Sequence, residues 1–325
     1  MKKNIAIIMG GYSSEVEISL KSGAVVYKHL NNQKYTAYKI HILKNKWVLV
    51  DDNNDEFPIN KHDFSADVNE KKITFDCVFN AIHGAPGENG TILAYFDLIG
   101  LKHTSAPFYQ MALTFNKRDC LSVVKHYGIK TATSIYLNKG DVILTKKIIE
   151  KVGLPCFIKP NNAGSSFGIS KAYTADEIIA GIENAYKEDS EILIESFLDG
   201  TEVSVGVIQY KNEIKVLPIT EIVTENDFFD YEAKYQGKSQ EITPARISEE
   251  LAKKIRIVAK KVYQILNMSG FSRSEFILVN DEPHFLEMNT VPGLTGESLL
   301  PQQANQANIS LSELFDNAIQ MALKS

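Results

Sequence analysis

The sequence predicts an α/β N-terminal unit on a parallel sheet, followed by α+β units on antiparallel strands. Three observations carry that reading. Apolar strand-like runs alternate with helical stretches over roughly the first hundred residues. Two strand-like runs, Pro155 to Pro160 and Gly168 to Tyr173, flank a Gly/Asn/Ser loop as a hairpin does. A second hairpin near the C-terminus sets polar residues on one face of otherwise apolar strands.

Ile5 to Met9 is a short buried strand, closed by Gly10-Gly11. Ser14-Glu15-Val16-Glu17 has the S-x-x-E form of a capping box, which starts a helix at Ser14 that runs to about Leu30. Thr36, Tyr38, Ile40 and Ile42 alternate with their neighbours as in a half-buried strand, and Trp47 to Val50 forms another. The polar stretch from Asp51 to Lys72 is expected to hold loops. Cys77 to Ile82 is a second buried strand, followed by the loop His83 to Gly90 and a helix from Thr91 to about Ile99. Farther on, Lys117 to His126 is helical, and Glu191 to Phe197 pairs with Glu202 to Tyr210 around Asp199-Gly200. Residues 224–245 are polar and aromatic, a long loop of the kind that serves as a lid. Ser248 to Met268 and Ser310 to Leu323 have helical periodicity.

The totals exclude several classes. A chain of 325 residues, 44% hydrophobic and 23% charged, is long enough for two or three domains with a cleft between them. The net charge is −5, and its 35 basic residues are dispersed, which argues against nucleic acid as a partner. The apolar run at the N-terminus is too short for a signal peptide or a membrane span, so no membrane association is expected. Cys77, Cys120 and Cys156 are widely spaced and odd in number, as small buried hydrophobes in a reducing compartment are. These features place the chain in the cytoplasm.

The C-terminal hairpin carries the chemistry. Phe271 to Val279 and His284 to Asn289 are joined by Asn280-Asp281-Glu282-Pro283. With Val279 taken opposite Pro283, Glu275 faces Glu287 and Arg273 faces Asn289. Two carboxylates directly opposite each other repel unless a cation lies between them. Oxygen donors of this kind suit Mg²⁺, with Mn²⁺ as a substitute. A solvated hairpin face is the alternative, but Phe276, Ile277, Leu286 and Met288 argue for a buried sheet. The loop Asn161 to Gly168, close behind Lys159, can turn backbone N–H groups toward phosphate oxygens, though it is no Walker A motif. Gly10-Gly11 lacks the G-x-G-x-x-G spacing of a dinucleotide site. Glu15, in a first helical turn at the edge of the sheet, is either a favourable helix-end charge or the partner of a substrate ammonium. His83 is read as a ligand contact rather than a satisfied strand-end histidine, and Phe228, Phe229 and Tyr235 either belong to a lid that closes on substrate or simply pack the loop.

Taken together and in order, these segments resemble the D-alanine–D-alanine ligases of the ATP-grasp superfamily. The matching residues are Gly10-Gly11-x-Ser13-x-Glu15 with Ser19 and Ser22; His83-Gly84 through Gly87-Glu88-Asn89-Gly90; Lys159-Pro160 through Gly164-Ser165-Ser166; Lys234-Tyr235; Arg273-x-Glu275; Glu287-x-Asn289-x-x-Pro292-Gly293; and Glu297-Ser298-Leu299. The resemblance covers nearly the whole chain. It implies three domains, drawn here at 1–104, 105–195 and 196–325, with ATP between two antiparallel sheets. It implies that Lys117 and Lys159 contact ATP phosphates with Ser166 in the glycine loop beside them, that Glu195, Ser196, Phe197 and Leu198 meet the adenine, and that Glu202 meets the ribose. Lys234 would approach the γ-phosphate. Glu275, Glu287 and Asn289 would hold two Mg²⁺ ions. Glu15, with His83 nearby, would bind the first D-alanine, and Ser298 and Leu299 the carboxylate of the second. Glu15, Ser165 and Tyr235 would form one hydrogen-bonded group, and Arg273 with the Gly293 N–H would stabilise the oxyanion. A homodimer is implied as well. Two positions depart from the family pattern, which usually has Asp where this chain has Glu275 and Asn89. The competing readings are a ligase with D-lactate or D-serine as second substrate, of which Tyr235, favouring an amine nucleophile, speaks against D-lactate, and a catalytically silent nucleotide-binding regulator, against which Arg273 speaks.

Overall fold

The structure is a computed structural model describing residues 2–164, 166–224 and 239–324. Its first sheet holds β1 (Lys3–Gly11), β2 (Tyr35–Leu43), β3 (Trp47–Val50), β4 (Glu56–Asn60), β5 (Ser65–Val68), β6 (Lys71–Ile73), β7 (Cys77–Asn80) and β8 (Lys102–His103), in the order β6-β5-β4-β3-β2-β1-β7-β8. The centre is parallel: β2, β1, β7 and β8 run the same way. β1 is central and buried on both faces, which is why it reads as an unbroken apolar run.

The expectation of loops over 51–72 is wrong. That stretch adds β4, β5 and β6 antiparallel to the edge, so the sheet is mixed. The turn between β5 and β6 is two residues, Asn69 and Glu70, both at positive φ (49° and 65°). Such a turn needs little chain, so short polar strands fit into what reads as loop.

The odd residues of β1 (Ile5, Ile7, Met9) pack with Val26 of α1 (Val16–His29) and with Phe315 and Ile319. Those last two belong to the C-terminal helix, so the end of the chain returns to cover the first sheet. Tyr35 donates a 2.6 Å hydrogen bond to Asp316 at this contact. Ala6 and Ile8 pack on the other face with Leu93 and Phe96 of α2 (Thr91–Leu98). Gly10 and Gly11 have φ of 104° and 108°, and a Cβ on either would lie 2.9 Å from Ile42 O or Ile82 Cγ2. Backbone geometry, not phosphate binding, accounts for this glycine pair.

After α3 (Phe108–Phe115) and α4 (Lys117–His126) comes an antiparallel sheet in the order β11-β10-β12-β9. Its strands are β9 (Ser134–Asn138), β10 (Cys156–Pro160), β11 (Ser170–Ala172) and β12 (Glu191–Ser196), backed by α5 (Thr145–Val152) and α6 (Ala175–Ala185). A third sheet, β15-β14-β13-β16-β17, holds β13 (Thr201–Tyr210), β14 (Glu213–Thr224), β15 (Ser239–Ile242), β16 (Phe271–Val279) and β17 (Glu282–Asn289). The expected pairing of Glu191–Phe197 with Glu202–Tyr210 is therefore wrong: β12 pairs with β9 and β10, and β13 with β14 and β16. Asp199-Gly200 is a crossing between sheets, and Gly200 is needed because a Cβ there would sit 2.1 Å from Leu278 O. Both sequence patterns look like a hairpin, but only a crossing leaves a cleft.

α7 (Glu249–Ile265), capped by Ser248, packs on the third sheet, and α8 (Leu299–Gln306) and α9 (Leu311–Lys324) close the chain. The three cysteines are buried and unpaired. Among the described residues no helix is long and apolar enough to cross a membrane. A bulge at Gly206 interrupts the β13 ladder, and buried Gln303 of α8 repairs it. Its Oε1 accepts from Gly206 N (2.9 Å), and its Nε2 donates to Ser204 O (2.9 Å) and Thr220 Oγ1 (3.0 Å). Gln303→Leu removes all three hydrogen bonds, leaving Thr220 Oγ1 only its contact with Thr243 Oγ1, and is expected to lower stability by about 3 kcal/mol. A loss of unfolding free energy below about 1 kcal/mol in denaturant titration would show that the bulge does not depend on Gln303.

Candidate active site

The site begins at the β16–β17 hairpin. Its turn is two residues, Asn280 and Asp281 (φ 50° and 59°), shorter than the expected four. Pro283 is not a turn residue but sits in the edge strand β17, where a missing N–H is tolerated. Val279 therefore pairs with Glu282, and an unbroken ladder would carry Leu286 opposite Glu275. A bulge between Phe276 and Glu275 shifts the register by one. Glu275 then faces Glu287, and Arg273 faces Asn289, the pairing expected from sequence but reached by another route.

Glu275 is buried, and Arg273 bonds both its Oε1 and Ser204 Oγ (3.1 Å). Asn289 Nδ2 is buried without a partner among the described residues, and a half-turn of that amide would present its oxygen instead. Facing carboxylates beside an amide with spare capacity fit a hard divalent cation. Among the described residues no three His, Cys, Asp or Glu side chains are grouped to hold a metal.

The hairpin borders a cleft of about 460 Å³ between the second and third sheets. Of the expected nucleotide-site residues, Lys117, Lys159, Ser166, Glu195, Ser196, Phe197, Leu198 and Glu202 all line it, together with Glu275 and Glu287. Lys159 Nζ lies 2.9 Å from Glu195 Oε2. Burial pulls the Lys159 pKa down, but Glu195, then Glu287 and Glu202, hold it above the ordinary lysine value. The ammonium is therefore secure. Lys117, at the start of α4, donates to Ala163 O (2.6 Å) and lies 3.4 Å from Glu287 Oε2, so it ties the glycine loop to the hairpin.

Glu15 is not inside a helical turn. α1 starts at Val16, Glu15 holds the N-cap position without a side-chain cap, and the expected start at Ser14 is wrong. Ser13 takes over locally: its Oγ accepts from Glu15 N (3.2 Å) and donates to His83 O (3.2 Å). The Glu15 carboxylate is buried between two glycines from different parts of the chain. A Cβ on Gly164 would be 2.7 Å from its Oε2, and one on Gly84 would be 3.1 Å away. Ser165, Lys234 and Tyr235 lie outside the described residues, as does most of the expected lid.

His83 is engaged at both nitrogens. Nδ1 donates to Val291 O (2.7 Å), so Nε2 accepts from the Ser22 hydroxyl (3.0 Å). Burial first, and Arg273 second, lower its pKa against the pull of Glu15 and Val291, so the ring is neutral near pH 7. Gly293 packs against Ser298, whose Oγ would be 2.6 Å from a Cβ there. Ser298 stands at the N-cap position of α8 but caps nothing, and its Oγ meets Thr295 Oγ1 (2.8 Å). Leu299 follows as the first helical residue. Asn89, where the family usually has Asp, accepts from Thr91 N (3.2 Å) at the start of α2, a task a neutral amide performs.

Sequence patterns described as “D-ala D-ala ligase N-terminus” and “D-ala D-ala ligase C-terminus” match residues 4–106 and 123–320. The chain belongs to the D-alanine–D-alanine ligase family. It is 69% identical over 321 residues to the D-alanine–D-alanine ligase of Flavobacterium johnsoniae, covering 99% of both chains. To that of Christiangramia forsetii it is 59% identical over 323 residues, again 99% of both. The VanG D-Ala:D-Ser ligase from Enterococcus faecalis has the same fold, with a TM-score of 0.87 and 32% identity over 99% of this chain and 100% of that one. The Bacillus anthracis D-alanine–D-alanine ligase complexed with ATP has a TM-score of 0.80 and 26% identity, over 99% and 98% of the two chains.

Glu88, quoted in the family motif but given no role from sequence, is a buried carboxylate of the His83–Gly90 loop. A charged residue inside a glycine-rich turn is the signal that could have singled it out. Burial, then Glu15, raise its pKa to about 7, although Gly84, Val291 and Thr290 donate N–H groups that favour the charged form. The folded chain thus binds a proton that the unfolded chain releases near the ordinary glutamate value of about 4.5. This contribution to stability is complete below that value and is lost as pH rises to about 7, by about 3 kcal/mol in all. Melting curves from pH 4.5 to 8 should show Glu88→Gln flattening the decline; parallel curves for the two proteins would mean that Glu88 stays ionised throughout.

Proposed function

We propose that the protein joins two D-alanine molecules to D-alanyl-D-alanine with ATP, through an acyl phosphate, for peptidoglycan precursor synthesis. The observation that carries this reading is the 69% identity to a D-alanine–D-alanine ligase along 99% of both chains. Working in the cytoplasm as a homodimer, with domains at 1–104, 105–195 and 196–325, belongs to the same reading.

In this reading ATP occupies the cleft between the second and third sheets. Lys117 and Lys159 hold its phosphates beside Ser166, Glu195 to Leu198 meet the adenine, Glu202 the ribose and Lys234 the γ-phosphate. Glu275, Glu287 and Asn289 hold Mg²⁺, two ions with Mn²⁺ as a substitute; bound there, the metal neutralises charge gathering on the transferred phosphoryl group. Glu15 binds the ammonium of the first D-alanine, grouped with Ser165 and Tyr235, while His83 stands beside that site. The N–H groups at the start of α8, with Ser298 and Leu299, hold the carboxylate of the second D-alanine. A carboxylate is a poor electrophile, so phosphorylation supplies the leaving group. When the second amine attacks, negative charge grows on the acyl oxygen, and Arg273 with the Gly293 N–H are donors already in position.

A different second substrate has one observation in its favour, the shared fold with the VanG D-Ala:D-Ser ligase. Phosphate release from MgATP should therefore be measured with no amino acid, with D-alanine, and with D-alanine plus D-serine or D-lactate, the products identified by mass. We expect release to require D-alanine and to yield the dipeptide. A mixed product formed in preference would move the assignment to the second reading, and release without D-alanine would end both. Arg273→Ala should leave nucleotide affinity within about twofold while turnover falls about 10²- to 10³-fold. Unchanged turnover would remove Arg273 from the oxyanion site.

A further inference from the structure

We propose that Glu88, with Ser22, is a positioning residue: together they fix the segment 290–294 so that the Gly293 N–H is the one donor left free. The inference rests on the ligase reading. It adds to that reading the means by which the N-terminal domain controls a donor belonging to the C-terminal one.

The segment from Thr290 to Leu294 leaves β17 and reaches α8 without joining a strand or helix. Its backbone groups must find partners elsewhere, since buried N–H groups are seldom left alone. Pro292 has no N–H, which leaves those of Thr290, Val291, Gly293 and Leu294. Glu88 Oε1 accepts from Thr290 N (3.0 Å) and Val291 N (3.2 Å), and Ser22 Oγ accepts from Leu294 N (3.2 Å). The Val291 carbonyl is taken by His83. Three of the four donors are thus claimed by side chains of the first sheet's unit, over sequence separations of 202 to 272 residues. Among the described residues, the Gly293 N–H has no partner. Gly293 is also half-buried where Val291, Pro292 and Leu294 are buried.

The Ser22–His83 half of the arrangement is self-consistent in its protons. Ser22 can accept from Leu294 because its own hydrogen goes to His83 Nε2, and His83 can accept there because its Nδ1 proton goes to Val291 O. Glu88 completes the ring at the other end, its Oε2 accepting from Gly84 N (3.1 Å) beside Glu15. A preorganised donor needs such a frame, since it stabilises a developing oxyanion only if it does not have to move to reach it.

The test compares the wild-type chain with Glu88→Ala, Glu88→Gln and Ser22→Ala by two readouts. Amide hydrogen exchange of a peptide covering 288–299 should speed up at least about tenfold in Glu88→Ala, with peptides of the cleft strands unchanged. In steady-state assays kcat should fall about ten- to a hundredfold in Glu88→Ala and less in Glu88→Gln, which keeps one oxygen acceptor, while the KM for ATP stays within about twofold. Unchanged exchange over 288–299, an unchanged kcat in a folded variant, or a loss carried wholly by the KM for ATP would each overturn the inference. Should Glu88→Ala fail to fold, Ser22→Ala is held to the same outcomes. A wild-type protein with no D-alanine-dependent release would overturn the ligase reading alone, and the exchange data would still decide whether the frame exists.

Discussion

Two carboxylates set opposite each other on neighbouring strands are the constraint from which the site can be understood. Glu275 and Glu287 repel, the first buried and the second partly exposed at the wall of the cleft. Such a pair persists only where positive charge is supplied from several directions. Arg273 meets Glu275 from the same strand, Lys117 reaches Glu287 from α4, and Lys159 lies close enough for Glu287 to help keep it charged. The cleft is thus a balanced array of fixed charges. A polyphosphate with its metal ions brings both signs and fits without leaving a buried charge unpaired.

That array requires the two antiparallel sheets to face each other, which follows from the crossing at Asp199-Gly200. Had β12 and β13 formed the expected hairpin, one continuous sheet would have resulted and Lys159 and Glu287 would lie apart on it. Gly200 lets the chain pass close to Leu278, and β13 then starts a separate sheet. The bulge at Gly206 continues the same theme. It breaks the ladder of β13, and Gln303 draws α8, with Ser298 and Leu299 at its start, against the broken place.

The chemistry of the site was more legible in the sequence than its backbone. Glu275 and Glu287 fall on one face in any odd-with-odd pairing, because side chains alternate, and the assumed register set them directly opposite each other. The turn is tighter than Asn-Asp-Glu-Pro suggests, since Asn280 and Asp281 both lie in the left-handed region, and the bulge between Glu275 and Phe276 makes up the one-residue difference. Local patterns failed where distant partners compete. Ser14-x-x-Glu17 has the form of a capping box, but Ser13 is drawn to His83 O from across the sheet and the helix begins two residues late. Polar residues 51–72 hid three strands because edge strands carry little apolar signal. Glu88 and Gln303 could not be assigned a task from sequence, because what each does is set by backbone groups more than ninety residues away.

The same long-range partners explain why the substrate side of the site belongs to no single unit. Glu15 comes from the first sheet, but its carboxylate fits only because Gly84 and Gly164 lack side chains, and Gly164 belongs to the loop of the second sheet. The segment carrying Gly293 leaves the third sheet but is held by Ser22, His83 and Glu88 from the first. The C-terminal helix packs back on the first sheet through Phe315 and Ile319, with Asp316 bonded to Tyr35. The first and third units are therefore joined both by an apolar interface and by a buried polar frame. The two differ in what they demand of geometry. Apolar contact tolerates small shifts, whereas hydrogen bonds to a buried carboxylate and a fixed imidazole tautomer do not. The polar frame lies next to the substrate groups and the apolar interface farther off, which is the division expected where donors must be held within a fraction of an ångström of reacting atoms.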